Sequence, residues 1–505
     1  MVSLSIIDFI TYRLLVSHNF STYLAWIWLA IAVYRRFKRT SAIIQTSYLR
    51  GGLSMSSTEA EIRKNFQEVF KGLTKQEAFE ESNRCLYCYD APCIQACPTG
   101  INIPSFIKKI ATNNLKGSAK AIMKENPMGA SCARVCPTEE LCEGACVLNH
   151  STKPIMIGNL QRYATDWAMR NEQVLFKAGK ANGKSVAIIG GGPAGLSAAR
   201  ELALLGYKVV VFEAEQKAGG LNTYGIVSFR LPQSVSFWEV EQVSELGVEI
   251  RTGQRVGVDI EAQEILSTYD YTLLAAGMAQ VPNLNIKGEE LNGVYDAIEF
   301  VKETKINPGQ SHLVGKKAVV IGAGNTAIDA ATCSVRLGAD NVKIVYRRTQ
   351  EEMTAYEFEY EFAKQEGVEF RWLTAPLEII GDADGRVTGI KCIKMKLGEK
   401  GVDGRSRPVP IEDSEFIIET DAVIKAIGQS RHTSLIEQFG IKHKGGVAMV
   451  DPKTYRTSNE KVSACGDCIF GLGQGEAMVV SAVQQGKDAA YQIHQLLSKS
   501  LERRI

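Results

Sequence analysis

Eight of the twelve cysteines in this 505-residue chain fall between Cys85 and Cys146, in two groups of four. The first group reads Cys85-x2-Cys88-x4-Cys93-x3-Cys97-Pro98, and the second Cys132-x3-Cys136-Pro137-x4-Cys142-x3-Cys146. Thiols at this density oxidise or cross-link unless one chemistry claims them. Disulfides belong to small secreted domains, and most of this chain has the character of a large intracellular nucleotide-binding protein. Structural zinc, the remaining alternative, favours paired Cys-x2-Cys units, and only Cys85 and Cys88 have that spacing. Short cysteine runs ending in Cys-Pro, whose last thiolate serves a different cluster from its neighbours, are the habit of iron-sulfur proteins. Cys97-Pro98 and Cys136-Pro137 each follow a ligand with a ring of fixed φ and no N–H, which turns the chain away from the cluster.

The length predicts roughly three or four domains with a large buried core. A net charge of +2, with neither half strongly basic, argues against a nucleic-acid partner. Residues 1–54 differ from the rest and are expected to be an N-terminal extension, with Met55 as the working start. Within them Phe20 to Tyr34 is apolar and is followed by Arg35, Arg36, Lys38 and Arg39, the pattern of a weak membrane segment. Fifteen residues span only about 22 Å as a helix, short of the ~30 Å hydrocarbon core. No small-residue cleavage site follows the run. The expectation is a cytoplasmic protein without membrane contact.

Residues 55–183 are expected to form a helical domain and its linker, with Glu, Lys and Ala around the cysteines and apolar spacing such as Phe106, Ile107, Ile110. Asn171 to Gly183 is polar and glycine-bearing and is the predicted linker. At Lys184 the pattern changes to α/β. Ser185 to Ile189 is a short apolar strand, Gly190-Gly191-Gly192-Pro193-Ala194-Gly195 opens a helix, and the strand Lys208 to Phe212 ends at Glu213. Strand, Gly-x-Gly-x-x-Gly, helix and a downstream acid make a dinucleotide site. Gly190, Gly192 and Gly195 let the backbone approach a pyrophosphate on the helix N-terminus, and Glu213 accepts hydrogen bonds from a ribose.

A second copy follows. Ala318 to Ile321 leads into Gly322-Ala323-Gly324-Asn325-Thr326-Ala327, and the strand Val342 to Tyr346 ends at Arg347 and Arg348 where the first copy has its acid. A guanidinium there suits a 2′-phosphate, so this site is expected to take NADP(H), with NAD(H) as the alternative. Two such folds, the first with an acid, predict FAD in one and nicotinamide in the other. Gly277 and Gly428 have the look of chain exits after the strands Tyr271–Ala275 and Ala422–Ile427. Gly466-Asp467, followed by a helix from Gln474, resembles the segment that closes over the flavin ribityl chain in two-dinucleotide-domain flavoenzymes. The NAD(P)H unit, 309–420, is then expected as an insertion inside an FAD unit made of 184–308 and 421–505. Cys465-x2-Cys468 beside the flavin reads as packing rather than as a redox dithiol, as do the isolated Cys333 and Cys392.

The order of parts, an α-helical iron-sulfur domain followed by an α/β two-dinucleotide-binding-domain flavoprotein, resembles the glutamate synthase small subunit and the first half of dihydropyrimidine dehydrogenase. Cys85-Leu-Tyr-Cys88, Asp90-Ala-Pro-Cys93, Cys97-Pro98-Thr99 and Ile157 to Thr165 resemble the second of these more closely. That resemblance implies two 4Fe-4S clusters, one held by Cys85, Cys88, Cys93 and Cys146, the other by Cys97, Cys136, Cys142 and Gln161. Cys132 is left without a metal, and a capping role is the alternative for Gln161. It also implies flavin contacts from Gly219, Gly220 and Leu221 and from Phe229-Arg230-Leu231-Pro232. Tyr346-Arg347-Arg348 with Glu352-Met353 resembles the glutamate synthase type of NADPH site. Nothing in the chain resembles the FMN barrel that handles the pyrimidine. The resemblance therefore implies a separate electron-input subunit, which passes electrons from NAD(P)H through FAD and the clusters to an FMN-containing catalytic subunit that reduces uracil or thymine. No acid-base catalytic residue is expected, since hydride transfer to flavin needs none. The rivals are a glutamate synthase small subunit and a non-catalytic scaffold bearing zinc.

Overall fold

The computed structural model describes residues 57–401, 404–471 and 477–502. The described residues from Glu61 onward form one compact unit. The apolar run Phe20–Tyr34 lies outside the described residues. Among the described residues no helix is long and apolar enough to cross a membrane.

The cysteine-bearing part is helical. Its main elements are α1 (Lys75–Arg84), α2 (Ile103–Ala111), α3 (Leu115–Glu125), α4 (Gly129–Val135) and α5 (Ile157–Arg170). Thr74 and Glu77 form a capping box at the start of α1, and Asn102 and Asn114 cap α2 and α3 through their side chains. Phe106, Ile107 and Ile110 are buried together with Ile122, Ile157 and Leu160, so the apolar spacing does mark the core-facing side of α2. The stretch after α5 has no regular structure, yet Leu175 is buried and Gly179 donates to Ala203 O at 3.0 Å, so the expected linker is a strap packed on its neighbour.

The first α/β fold contains β1 (Ser185–Ile189), α6 (Pro193–Leu204), β2 (Lys208–Phe212), α7 (Gln233–Ser244), β3 (Glu249–Arg251) and β4 (Tyr271–Leu274). The second contains β5 (Val294–Asp296), α8 (Ala297–Ile306), β6 (Lys317–Ile321), α9 (Asn325–Arg336), β7 (Asn341–Val345), α10 (Glu357–Gln365) and β8 (Glu369–Arg371). Three antiparallel strands follow, β9 (Thr374–Gly381), β10 (Val387–Lys400) and β11 (Ser406–Glu419), and then β12 (Ala422–Lys425). The small pair β13 (His443–Lys444) and β14 (Val447–Ala448) precedes β15 (Val462–Ala464) and the closing helix α11 (Val479–Glu502).

Both large sheets are parallel and five-stranded, in the orders β15-β4-β1-β2-β3 and β5-β12-β6-β7-β8. The inner strands β1, β2, β4 and β6 are buried along nearly their whole length, as sheets covered on both faces require. This pairing corrects the expected boundaries. Ala422–Lys425 does not return to the FAD unit: it lies between β6 and β5, with Ala422 opposite Ala318 and Val423 opposite Val294. The second fold therefore extends from β5 to β12 rather than over 309–420. The helix expected from Gln474 begins at Val479, and Gln474 itself lies outside the described residues.

Candidate functional site

The first glycine-rich turn is built by close approach. Gly190 has φ +108°, and a Cβ there would sit 2.3 Å from Ala275 O. A Cβ on Gly195 would sit 2.0 Å from Gly190 O, so α6 packs directly on the turn. Gly192 caps α6 and Pro193 occupies its first turn, where a missing N–H costs nothing. Glu213, buried at the end of β2, accepts Gly191 N–H at 2.8 Å on one carboxylate oxygen and Glu215 N–H at 2.7 Å on the other. It thus holds the turn as well as facing the cavity beside it. Burial raises its carboxyl above the usual range.

That cavity has a volume of about 890 Å³, at the upper end of small-molecule sites. Gly190, Gly192, Pro193, Ala194, Glu213, Gly220, Leu221 and Arg230 line it, as do Gly466 and Asp467. Gly466 has φ +75°, and a Cβ on it would lie 2.9 Å from Ala194 Cβ, so this segment closes against the N-terminus of α6. Two further contributions matter. Asn325 and Thr326, from the start of α9, reach the same cavity, and so do Val135, Cys136 and Pro137 from the helical domain.

The second turn has the same construction. Gly322 has φ +129°, a Cβ on it would lie 2.2 Å from Ala426 O, and Gly324 caps α9. The expected arginine pair is split by the structure. Arg348 is buried and its Nε donates to Ser406 O of β11 at 2.9 Å, whereas Arg347 is exposed. Arg230 also differs from expectation. It lines the cavity, but its guanidinium ties the two folds together, with Nη1 at 3.1 Å from Asp329 of α9 and Nη2 at 2.5 Å from Glu359 of α10. Lys305 of α8 adds to this seam by donating to the carbonyl oxygens of Asn222, Ile226 and Leu231. Its burial lowers the ammonium to about 7. Neither Asp329 nor Glu359 was legible as a seam partner, because only tertiary packing brings them to Arg230.

In the helical domain α4 ends at Val135, where Cys136 precedes Pro137 and gives its N–H to Cys132 O at 3.0 Å. Arg134 and Arg162 share Glu68 and Asp166, which ties α4 to α5. Gln161 donates through Nε2 to Gly129 O at 2.7 Å, which commits its amide nitrogen and leaves the oxygen for another partner. The buried Glu239 of α7 accepts from Ala130 N–H, Ser131 N–H and the Ser131 hydroxyl, and so fastens the start of α4 to the first fold.

The thiols fall into two neighbourhoods. Burial, with Cys85, Cys146 and Cys88 close by, pushes Cys93 up to about 11, and burial beside Cys88 and Cys146 raises Cys85. Cys136 is raised by a hydrogen bond with Cys132, by burial, and by Cys142 and Cys97. Burial raises Cys142 too, with Glu143, Cys97 and Cys93 adding to it. Crowded thiols of this kind ionise only when a cationic metal centre discharges them. Among the described residues no three Cys, His, Asp or Glu side chains converge as ligands of one metal ion do. A four-iron cluster, which spreads its four thiolates over the cluster, does not need that convergence. Cys132 sits in the core of the first fold, 2% exposed. Cys465 and Cys468 are both buried, and Cys468, pushed up by burial to about 12, donates to the carbonyls of Cys465 and Leu274, as packing thiols do.

Residues 62–173 match the family described as dihydropyrimidine dehydrogenase domain II, 4Fe-4S cluster, and residues 184–486 that described as pyridine nucleotide-disulphide oxidoreductase. The chain belongs to the pyridine nucleotide-disulphide oxidoreductase family. It is 34% identical over 446 residues to the glutamate synthase (NADPH) small chain of Escherichia coli strain K12, which covers 85% of this chain and 93% of that one. It is 33% identical over 433 residues to the NAD-dependent dihydropyrimidine dehydrogenase subunit PreT of Salmonella typhimurium, 86% of this chain and 97% of that one. Its fold is shared with FprA from Mycobacterium tuberculosis in complex with NADPH, at TM-score 0.53 and 20% identity, over 64% of this chain and 86% of FprA. This member of the family is an FAD- and NAD(P)-dependent oxidoreductase subunit with a 4Fe-4S domain. The glycine cradle and buried polar wall of the cavity fit a flavin dinucleotide, and the turn at Gly322 fits a nicotinamide dinucleotide.

Proposed function

We propose that the chain is the electron-input subunit of a dihydropyrimidine dehydrogenase, delivering electrons from NAD(P)H to an FMN-containing partner that reduces uracil or thymine. One observation carries the reading: residues of both glycine-rich units and Cys136 line a single cavity. When bound, NAD(P)H supplies a hydride, FAD accepts the pair, and the clusters pass electrons on one at a time. The chain's residues position these groups. Gly190, Gly192 and Gly195 admit the flavin pyrophosphate to the N-terminus of α6, and Glu213 holds the turn and the ribose. Gly322 and Gly324 do the same for the nicotinamide dinucleotide, with Asn325 and Thr326 at the shared wall and Arg347 at the 2′-phosphate. Cys85, Cys88, Cys93 and Cys146 hold one cluster, and Cys97, Cys136, Cys142 and the Gln161 amide oxygen hold the other. The second is the one whose ligand reaches the flavin cavity.

Ile157 to Thr165, which carries Gln161, supports the dihydropyrimidine reading. A glutamate synthase partner is the second reading, supported by Tyr346-Arg347-Arg348 and by the Thr349–Glu352 capping box that shapes the chain after them. The test is anaerobic isolation of the native complex, with metal analysis and turnover. About eight iron atoms per chain and NAD(P)H-driven reduction of uracil bear the proposal out. Glutamine-dependent glutamate formation transfers it to the second reading, and zinc without iron overturns both.

A further inference from the structure

The chain between the Thr349 capping box and α10 crosses the second glycine-rich turn and is fixed to it by successive backbone groups. Thr354 and Ala355 both give their N–H groups to Ala323 O at 3.2 Å. The next N–H, that of Tyr356, goes to Asn325 Oδ1 at 3.2 Å. Tyr356 therefore leaves the backbone at a set point beside the first residue of α9. Its side chain makes no cap hydrogen bond to α10, so the helix start does not account for a tyrosine there.

Tyr356 lines the large cavity together with Asn325, Thr326, Asp329 and Glu359. Asp329 and Glu359 are buried in the Arg230 seam, whereas Tyr356 is half-buried and keeps surface for a ligand. The other phenylalanine and tyrosine on the wall, Phe212 and Tyr224, are buried in the first fold. Among the described residues Tyr356 is thus the one aromatic side chain that the second fold brings to the cavity. The Phe358 ring lies 5.8 Å from it with 11° between the planes, which steadies the tyrosine ring.

A dinucleotide whose pyrophosphate rests on the start of α9 sends its adenosine along β7 towards Arg347 and its nicotinamide the other way, into the cavity shared with the first fold. Hydride transfer carries the C4–H electron pair to the flavin and leaves the nicotinamide ring positively charged. The π face of a phenol attracts such a ring more than it attracts the neutral reduced one. We propose that Tyr356 is a nicotinamide-binding residue, with the ring face turned from Phe358 laid against the nicotinamide. The contact strengthens as the hydride leaves, so it favours transfer to the flavin and holds the oxidised coenzyme. The inference rests on the nicotinamide dinucleotide assigned to the Gly322 turn and is independent of which partner takes the electrons.

Calorimetric titration of the oxidised holoprotein with NADP+ and with 2′,5′-ADP, which lacks the nicotinamide, tests it. NAD+ and ADP-ribose form the same pair should the protein prefer NAD+. Tyr356→Leu is expected to weaken the dinucleotide about fivefold and to leave the fragment unchanged. Tyr356→Phe, which keeps the ring, is expected to bind both as the wild type does. Unchanged dinucleotide affinity in Tyr356→Leu overturns the proposal. So does an equal weakening of dinucleotide and fragment, which would place the tyrosine at the adenosine or in the fold alone. A wild type that binds neither dinucleotide overturns the coenzyme assignment itself, and the proposal with it. Should Tyr356→Leu lose its flavin, Tyr356→Trp decides. Quenching of the added indole emission by the dinucleotide but not by the fragment supports the contact, and emission that the dinucleotide leaves unmoved sinks it.

Discussion

In the first dinucleotide fold the glycine-rich turn is walled in by Gly466 and Asp467, the Gly220 segment and the helical domain's Cys136. In the second, only Asn325 and Thr326 of the corresponding segment reach that cavity, and the strand after the turn ends at an exposed arginine. The strand orders correspond position by position, β15-β4-β1-β2-β3 against β5-β12-β6-β7-β8, so the sheets do not explain the difference. What differs is what covers each turn. The second turn is covered by the chain that follows it, with Ala323 O accepting from the Thr354 and Ala355 N–H groups at 3.2 Å, whereas the first also meets the Gly466 segment and the helical domain. The buried links from Arg230 to Asp329 and Glu359 and from Lys305 to three carbonyls join the two.

The largest expected contrast comes from adding one methyl group to each turn. Gly190→Ala meets a backbone carbonyl and should give protein without flavin absorbance. Gly322→Ala should keep the yellow chromophore but lose its bleaching by NAD(P)H; equal loss of flavin in both would erase the distinction. Arg230→Met leaves Asp329 and Glu359 buried without their cation, a loss of about 3–5 kcal/mol visible in the thermal midpoint of the holoprotein. Adding Asp329→Asn and Glu359→Gln should recover part of it. Lys305 gives the seam a pH dependence. Its pKa is about 7 in the folded chain against 10.5 ordinarily, so between these values the unfolded chain holds the extra proton. Stability should therefore rise from pH 7 towards 10.5, by an amount on the order of a few kcal/mol. Lys305→Met should flatten that slope, and an unaltered slope would locate the titration elsewhere. Arg347→Ala should raise KM for NADPH about tenfold, in line with ~1.5 kcal/mol for a hydrogen bond to a charged group, and leave KM for NADH unchanged. The smallest effect belongs to Cys468→Ser. Turnover should hold at the wild-type level with about 1 kcal/mol lost in stability, whereas a collapse of turnover would make the pair a redox dithiol.

The parts that local chemistry dictates were legible in the sequence. Ser185–Ile189 followed by Gly190 to Gly195 reads as strand, turn and helix because φ > 0 and close approach demand glycine at fixed offsets, and the resemblance to the glutamate synthase and dihydropyrimidine dehydrogenase family holds. What eluded the sequence depends on partners far along the chain. Val294–Asp296 and Ala422–Lys425 are as short and apolar as any strand, and nothing local says which sheet they join. The long strands β10 and β11 formed no part of the expected dinucleotide fold, although Ile393, Met395 and Leu397 alternate with lysines in β10 as a half-buried strand does. Arg348 looked equal to Arg347 until Ser406, 58 residues on, took its Nε.

The two sheets acquire their outer strand at different times during synthesis. Once residue 425 has left the ribosome the second sheet has all five of its strands, whereas the first waits for β15 at residues 462–464 and for α11 to lie across α6. The nicotinamide half can thus mature on the nascent chain while the flavin half still waits for β15 and α11. Flavin loading accordingly follows the building of the nicotinamide sheet, and a polypeptide cut short before β15 would stop with its pigment site unbuilt.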